Sequence, residues 1–77
     1  MSQIGENLLT ALKLKYMSEI QSATATLHIY INNPVGIGEH PQHLEEMDKL
    51  VDQIATSQDK MDALRTYIDK LEALNSL

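Results

Sequence analysis

The feature that most constrains this chain is a row of apolar residues in its second half, spaced alternately by three and four positions. The row continues for nearly four heptads and has one small polar member: Met47, Leu50, Ile54, Ser57, Met61, Leu64, Ile68 and Leu71. This spacing is typical of a coiled-coil seam. It predicts a helix over 41–74, about 50 Å long at 1.5 Å per residue, which is stable only against other helices. Ser57 either makes room for a bulky side chain from a neighbouring helix or is a poorly packed position in the seam.

The first half of the chain also has helical periodicity and predicts a helix over 3–31 with Ser2 as its N-cap. Its apolar row is Ile4, Leu8, Leu12, Tyr16, Ile20, Ala23, Leu27 and Ile31. Residues 24–31 also alternate like a strand, but a lone strand between two long helices would have no pairing partner. A second apolar set lies off the row and predicts more than one neighbouring helix: Leu9, Leu14, Met17 and Ile29.

The segment between these helices contains both prolines and two of the three glycines of the chain. Asn33 precedes Pro34 and is therefore disfavoured in a helix, whereas Pro41 suits the first position of the next helix. The sequence thus predicts a turn over 32–40. Val35 and Ile37, within that turn, either close the open end of the hairpin or contact a ligand or partner chain.

Size and charge restrict the remaining possibilities. A single domain of 77 residues without cysteine has neither a large core nor a disulfide, so oligomerisation is the expected source of its stability. We therefore predict an all-α fold, two long antiparallel helices that assemble into a homo-oligomeric helical bundle. No signal peptide or membrane-spanning run is evident, which favours a soluble, intracellular chain. Residues 1–32 contain two acidic and two basic residues, so the net charge of −5 lies in residues 33–77 and disfavours binding to duplex nucleic acid.

Two short motifs near the turn are candidates for binding. His40 and His43 are three residues apart, as two metal ligands on a helix can be, but no third ligand is evident and a cap beside a solvent-facing histidine is the simpler interpretation. Gly36 and Gly38 lie just before a helix start, where backbone N–H groups can bind an anion, although glycine is also common in any turn. No metal and no cofactor is predicted.

Lys13, Lys15 and Tyr16 form the third candidate, in the first helix. Two cations and an aromatic ring are what a nucleotide needs for its phosphates and its base. The alternative is a solvated face beside one core tyrosine. The sequence contains no nucleophile with an adjacent base, so we do not predict an enzyme. The predicted ligand-binding set is Lys13, Lys15, Tyr16, Val35, Gly36, Ile37, Gly38 and His40.

The run Asn-Pro-Val-Gly-Ile-Gly-Glu-His-Pro at 33–41, with Leu-Glu-Glu-Met-Asp-Lys-Leu at 44–50, resembles a small protein family of tailed bacteriophages. In build, such hairpins are similar to the phage sponges that sequester cyclic nucleotides made by CBASS- or Thoeris-type host immunity. The resemblance implies a counter-defence protein that binds a small nucleotide signal between protomers, without catalysis, in the cytoplasm of the infected host. The tyrosine- and lysine-bearing motif of those sponges has no counterpart in register here, so no binding residue is transferred from them.

Two other functions fit the same pattern. The acidic second helix and its regular seam suit an interaction protein that docks on a host or phage protein as an inhibitor or assembly adaptor. A structural component of the virion is the third alternative.

Overall fold

The chain forms a hairpin of two long helices. The computed structural model describes residues 2–33 and 42–76, and these contain α1 (Gln3–Asn32) and α2 (His43–Asn75), packed against each other, with no strand. The predicted all-helical hairpin is thereby confirmed, and residues 24–31 belong to α1. The predicted turn over 32–40 differs at its start, since Asn32 is still helical, and residues 34–41 lie outside the described part of the chain.

Local signals explain where α1 begins and ends. The Ser2 hydroxyl accepts a hydrogen bond from the Gly5 N–H at 3.0 Å, which satisfies one of the donors left unpaired at a helix start. At the other end, the Asn33 N–H donates to the Ile29 carbonyl at 2.8 Å. In α2, Glu45 and Glu46 lie in the first turn, where the helix dipole stabilises negative charge.

The seam of α2 faces α1 as its spacing predicts. All eight seam residues are half-buried or buried, and Ser57 is only 2% exposed. On α1 the corresponding position is Ala23, which is 1% exposed and is the one fully buried apolar residue in the described part of the chain. Two helices cover only one stripe of each other, so the remaining interface residues stay partly accessible to water.

The row predicted on α1 is correct only in its middle. Ile4, Leu8 and Ile31 are 73%, 63% and 61% exposed, whereas Leu9 and Tyr30 are half-buried. The reason is geometric: steps of four residues advance about 400° around a helix, so a row of such steps drifts by about 40° each time. From Ile4 to Ile20 the drift exceeds the arc that one straight neighbour can cover.

The hairpin is much longer than it is wide. Its principal dimensions are 59 × 18 × 15 Å and its radius of gyration is 17.4 Å, against about 11 Å for a compact domain of this length. Neither α1 nor α2 is both long and apolar enough to cross a membrane. The core is thus one narrow interface along the length of the two helices.

Candidate functional site

One of the two most buried residues of the interface, Ser57, is polar. The Ser57 hydroxyl donates a hydrogen bond to the Glu19 carboxylate (Oγ to Oε2, 2.9 Å), close to the middle of both helices. Gln53, one turn before Ser57, donates from its side-chain amide to the Glu19 backbone carbonyl at 3.2 Å. Ala23 and Ser57 are both small and fully buried, and Glu19 lies beside them in contact with Ser57.

Glu19 is also paired within its own helix. Its second carboxylate oxygen accepts a hydrogen bond from Lys15 Nζ at 2.7 Å, one turn earlier. The hydrogen bond from Lys15 and then that from Ser57 hold the pKa of Glu19 below its usual range, with a further contribution from the charge of Lys60. Conversely, the hydrogen bond and charge of Glu19 raise the pKa of Lys15. Both groups are therefore charged at neutral pH.

Tyr16 lies between two lysine side chains, one from each helix. The ammonium groups of Lys15 and Lys60 are both 5.9 Å from the centroid of its ring, within the range of a cation–π interaction. We call Lys15, Tyr16, Glu19 and Lys60 the lysine–tyrosine cluster. It has two cations, one carboxylate and one half-buried aromatic ring on one side of the hairpin.

Lys13 is not part of this cluster. Two residues apart on a helix, Lys13 and Lys15 differ by about 200° in direction, so they lie on different flanks. Lys13 borders a groove of about 300 Å³ with Arg65, Asp69 and Glu72 among its lining residues. A second groove on the same flank adds Glu6 and Thr10. The structure therefore brings Lys15 and Tyr16 together and separates Lys13 from them, in a groove of mixed charge.

The remaining predicted residues belong to the turn. Val35, Gly36, Ile37, Gly38 and His40 lie outside the described residues, so their role in ligand binding stays a prediction.

The other histidine of the spaced pair, His43, is described, and it is not solvent-facing as the simpler interpretation assumed. It is half-buried, and its ring packs edge-on against Tyr30 with 5.6 Å between centroids. Tyr30 lies in the last turn of α1 and His43 is the first residue of α2, so this contact joins the helices next to the turn. No group of three possible metal ligands occurs within residues 2–33 and 42–76.

Sequence reasoning missed Lys60 as a member of the cluster. Lys60 follows Ser57 by three positions and is therefore on the same side of α2 as the polar contact. It could have been found by aligning the two helices antiparallel with Ser57 opposite Glu19, but the sequence does not give that alignment.

Large apolar side chains remain exposed along both helices, although the chain is otherwise polar. On α2 they border a shallow groove of about 400 Å³ whose lining includes Tyr67, Leu71 and Leu74. Within residues 2–33 and 42–76, eleven large apolar residues are at least 37% exposed: Ile4, Leu8, Leu12, Leu14, Met17, Ile29, Ile31, Leu44, Val51, Tyr67 and Leu74.

Comparisons with known protein families, with curated proteins and with solved structures find no match to this chain. The function is therefore inferred from the geometry of the hairpin. Its two candidate features are the exposed apolar faces of the hairpin and the lysine–tyrosine cluster.

Proposed function

We propose that this chain is a non-catalytic interaction protein that works as a homo-oligomeric helical bundle and docks on a host or phage protein. The observation that carries this proposal is the exposure of eleven large apolar side chains in the part of the hairpin that the structure describes. Scattered apolar residues are normal on a surface, but helices with apolar residues on several sides are usually covered by several neighbours. The hairpin supplies one neighbour for each helix, and a second copy of the chain would supply further ones.

The most buried hydroxyl supports a role without catalysis. Ser57 is 2% exposed, so a substrate would have no access to it. Its hydrogen-bond partner is Glu19, and the lowered pKa of that carboxyl group makes it a weak base. A serine nucleophile needs a neighbouring base and an open approach. The Ser57–Glu19 pair has only a weak base and no open approach, and it fits a structural role at the helix interface.

The resemblance of residues 33–50 to a tailed-phage family supports a location in the cytoplasm of an infected bacterial host. In that setting the partner is a protein that accepts an acidic helical surface, because the net charge of −5 lies in the second half of the chain.

The assembly is tested by measuring the mass of the purified chain in solution, by light scattering or native mass spectrometry over a wide concentration range. We expect a discrete species of two or more copies. A monomer at every concentration would refute the assembly.

Docking is tested by affinity capture from infected and uninfected lysates, followed by reconstitution of any complex from purified proteins. We expect one partner at fixed stoichiometry that survives high salt, since an apolar contact is not screened as an ionic one is. Capture of no such partner from either lysate would refute the docking role.

The lysine–tyrosine cluster favours a second candidate function, sequestration of a small nucleotide immune signal between protomers. Lys15 and Lys60 present two cations beside the Tyr16 ring, the combination that phosphates and a base would use. Lys60 forms no ion pair within the described part of the chain, whereas Lys15 is already paired with Glu19. A bound phosphate would therefore be held chiefly by Lys60 and would compete with Glu19 for Lys15.

Thermal shift with a panel of cyclic di- and trinucleotides tests this candidate. A ligand at a hundredfold excess over its Kd stabilises the folded state by about 2.7 kcal/mol, which corresponds to a rise in Tm of about 10 °C or more. Lys60→Gln should reduce that shift, and the control Lys49→Gln, which removes the cation paired with Glu46, should preserve it. No shift with any nucleotide would exclude this function.

A further inference from the structure

We infer that a second copy of this chain covers one particular surface, at the end of the hairpin where α1 begins and α2 ends. The inference rests on the proposed assembly and names the face that the assembly uses. We call this surface the terminal patch, and its residues are Ile4, Leu8 and Leu12 of α1 with Tyr67, Leu71 and Leu74 of α2.

The two rows of the patch lie at the same end of the hairpin. Leu9 and Ile68 border the same groove, which places the start of α1 level with the last third of α2. On α1, Lys15 follows the last patch residue, Leu12, by three positions. On α2, Lys60 precedes the first patch residue, Tyr67, by seven positions. Both lysines approach the ring of Tyr16, so both rows lie on the same side of the hairpin.

This side is apolar and accessible. Ile4, Leu8 and Leu74 are 73%, 63% and 67% exposed, and Tyr67 is 50% exposed. Along α2 the patch includes the groove of about 400 Å³ beside Tyr67 and Leu74. Leu71 is half-buried because it also belongs to the seam, and the other five side chains of the patch are exposed.

The surface of the isolated chain is large enough for a second copy to bind. Its accessible area is 5941 Å², whereas a folded monomer of 8.7 kDa exposes about 4,700 Å². The excess of about 1,200 Å² exceeds the ~800 Å² that each partner buries in a standard protein–protein interface. Burial of the terminal patch and its border by a second hairpin would bring the chain close to the area of an ordinary folded protein.

The other surfaces of the same molecule do not complement the patch as well. On the opposite flank of the same end, Lys13, Arg65, Asp69 and Glu72 line a charged groove that would leave charges buried against leucine. A one-way contact with exposed apolar residues near the turn, such as Val51, would be heterologous and would leave one patch uncovered unless the copies closed into a ring. Contact of the patch with the same patch on a second copy closes into a two-fold dimer.

The charges at the patch border are compatible with that pairing. Lys60 and Lys70 border the patch, and α2 has no basic residue in its last turn. If two α2 helices pair antiparallel around Tyr67, Lys60 of each copy comes level with Leu74 of the other. A cation then lies beside the negative end of a helix dipole, which is favourable.

A matched pair of substitutions tests whether the terminal patch is the surface that a second copy covers. Leu8 and Leu14 are both leucines of α1, 63% and 59% exposed, and they differ by about 120° in direction around the helix. We expect Leu8→Glu to weaken self-association by about a hundredfold or more, because each interface would bury two unpaired carboxylates. Leu14→Glu should leave self-association unchanged. The measurement is the mass in solution against protein concentration, with circular dichroism to verify that both variants remain helical.

A wild-type chain that is monomeric throughout would overturn the proposed assembly and this inference together. An assembled wild type with an unchanged Leu8→Glu variant, or with a Leu14→Glu variant that dissociates as readily, would overturn the face alone.

Cross-linking tests the face without relying on a destabilising variant. The chain has no cysteine, so Leu8→Cys introduces a single thiol at the centre of the α1 row of the patch. Oxidation should give a covalent dimer in high yield, because a disulfide requires the two Cα atoms to lie within about 7 Å. Leu14→Cys should not cross-link. An assembled Leu8→Cys sample that stays uncross-linked would overturn the two-fold contact.

Discussion

Replacement of Ser57 by leucine separates two explanations of how this hairpin is packed. Ser57 interrupts an otherwise apolar seam, and by sequence pattern alone a leucine there would complete the heptad repeat. The structure predicts the opposite effect. Ser57 is 2% exposed and Ala23, at the buried position of α1, is 1% exposed, so a leucine at position 57 would add its bulk inside the contact between the helices.

The magnitude follows from the cost of overpacking. Adding methylene groups to a close-packed interface costs about 1–3 kcal/mol, because side chains leave their preferred rotamers or the backbones move apart. For a chain of this length, each 1 kcal/mol lowers Tm by about 4–8 °C, so Ser57→Leu should lower Tm by roughly 5–20 °C. Loss of the hydrogen bond to Glu19 acts in the same direction.

Thermal and urea unfolding followed by circular dichroism measure this change, at one fixed protein concentration because assembly itself stabilises the fold. Thr56→Leu is the matched control: the same side chain enters at the adjacent, exposed position, where the change should stay within about 0.5 kcal/mol. Ser57→Ala preserves the small size and should cost less than Ser57→Leu. A Ser57→Leu variant with a higher Tm than the wild type would show that the helices are not in close contact at this position.

Three further outcomes are expected. The pKa of Glu19 is lowered in the folded chain, so its charged form stabilises the fold at any pH above the pKa of an unfolded glutamate, about 4.3. That stabilisation is lost as the pH falls through the lower pKa of the folded state. The Tm difference between wild type and Glu19→Gln should therefore shrink in acid. Leu64→Ala should lower the free energy of unfolding by about 2 kcal/mol, the low end of the range for buried leucines, because Leu64 is half-buried. It should also dissociate the assembly. An equal loss of stability from Leu14→Ala, at an exposed position, would contradict the packing. Ser2→Ala should cost about 1 kcal/mol through loss of the α1 N-cap, measurable by urea unfolding, and an unchanged midpoint would mean that water replaces the cap.

The sequence predicted the buried row of α2 correctly and that of α1 only in part, and α2 begins at His43 and not at the predicted residue 41. The seam of α2 alternates steps of three and four, which keeps its direction nearly constant along the helix, and every seam residue is half-buried or buried. The α1 row uses mainly steps of four and winds around the helix, so its ends at Ile4 and Ile31 leave the interface. Which part of such a row becomes buried depends on the path of the neighbouring helix, and the sequence does not contain that information locally.

The candidate site, too, was only partly predictable from the sequence. Lys15 and Tyr16 are adjacent in sequence, and the structure places them in one cluster, but Lys60 joins them only through the lengthwise alignment of two helices. Lys13 resembled a second cation of the same site by proximity in the chain, yet two residues along a helix reverse its direction. Local spacing can therefore identify the residue types of such a site, but not the flank on which they meet.

The polar contact between Ser57 and Glu19 also limits how the two helices can slide. An interface made only of similar apolar side chains offers nearly equal packing after a shift of one helical turn, about 5.4 Å. Such a shift of α2 would place Glu19 opposite Ile54 or Met61, where no hydroxyl could donate to its carboxylate. One buried polar partner can thus fix register, as it does in coiled coils. In this hairpin, a single serine would select one alignment from several that hydrophobic packing alone leaves nearly degenerate.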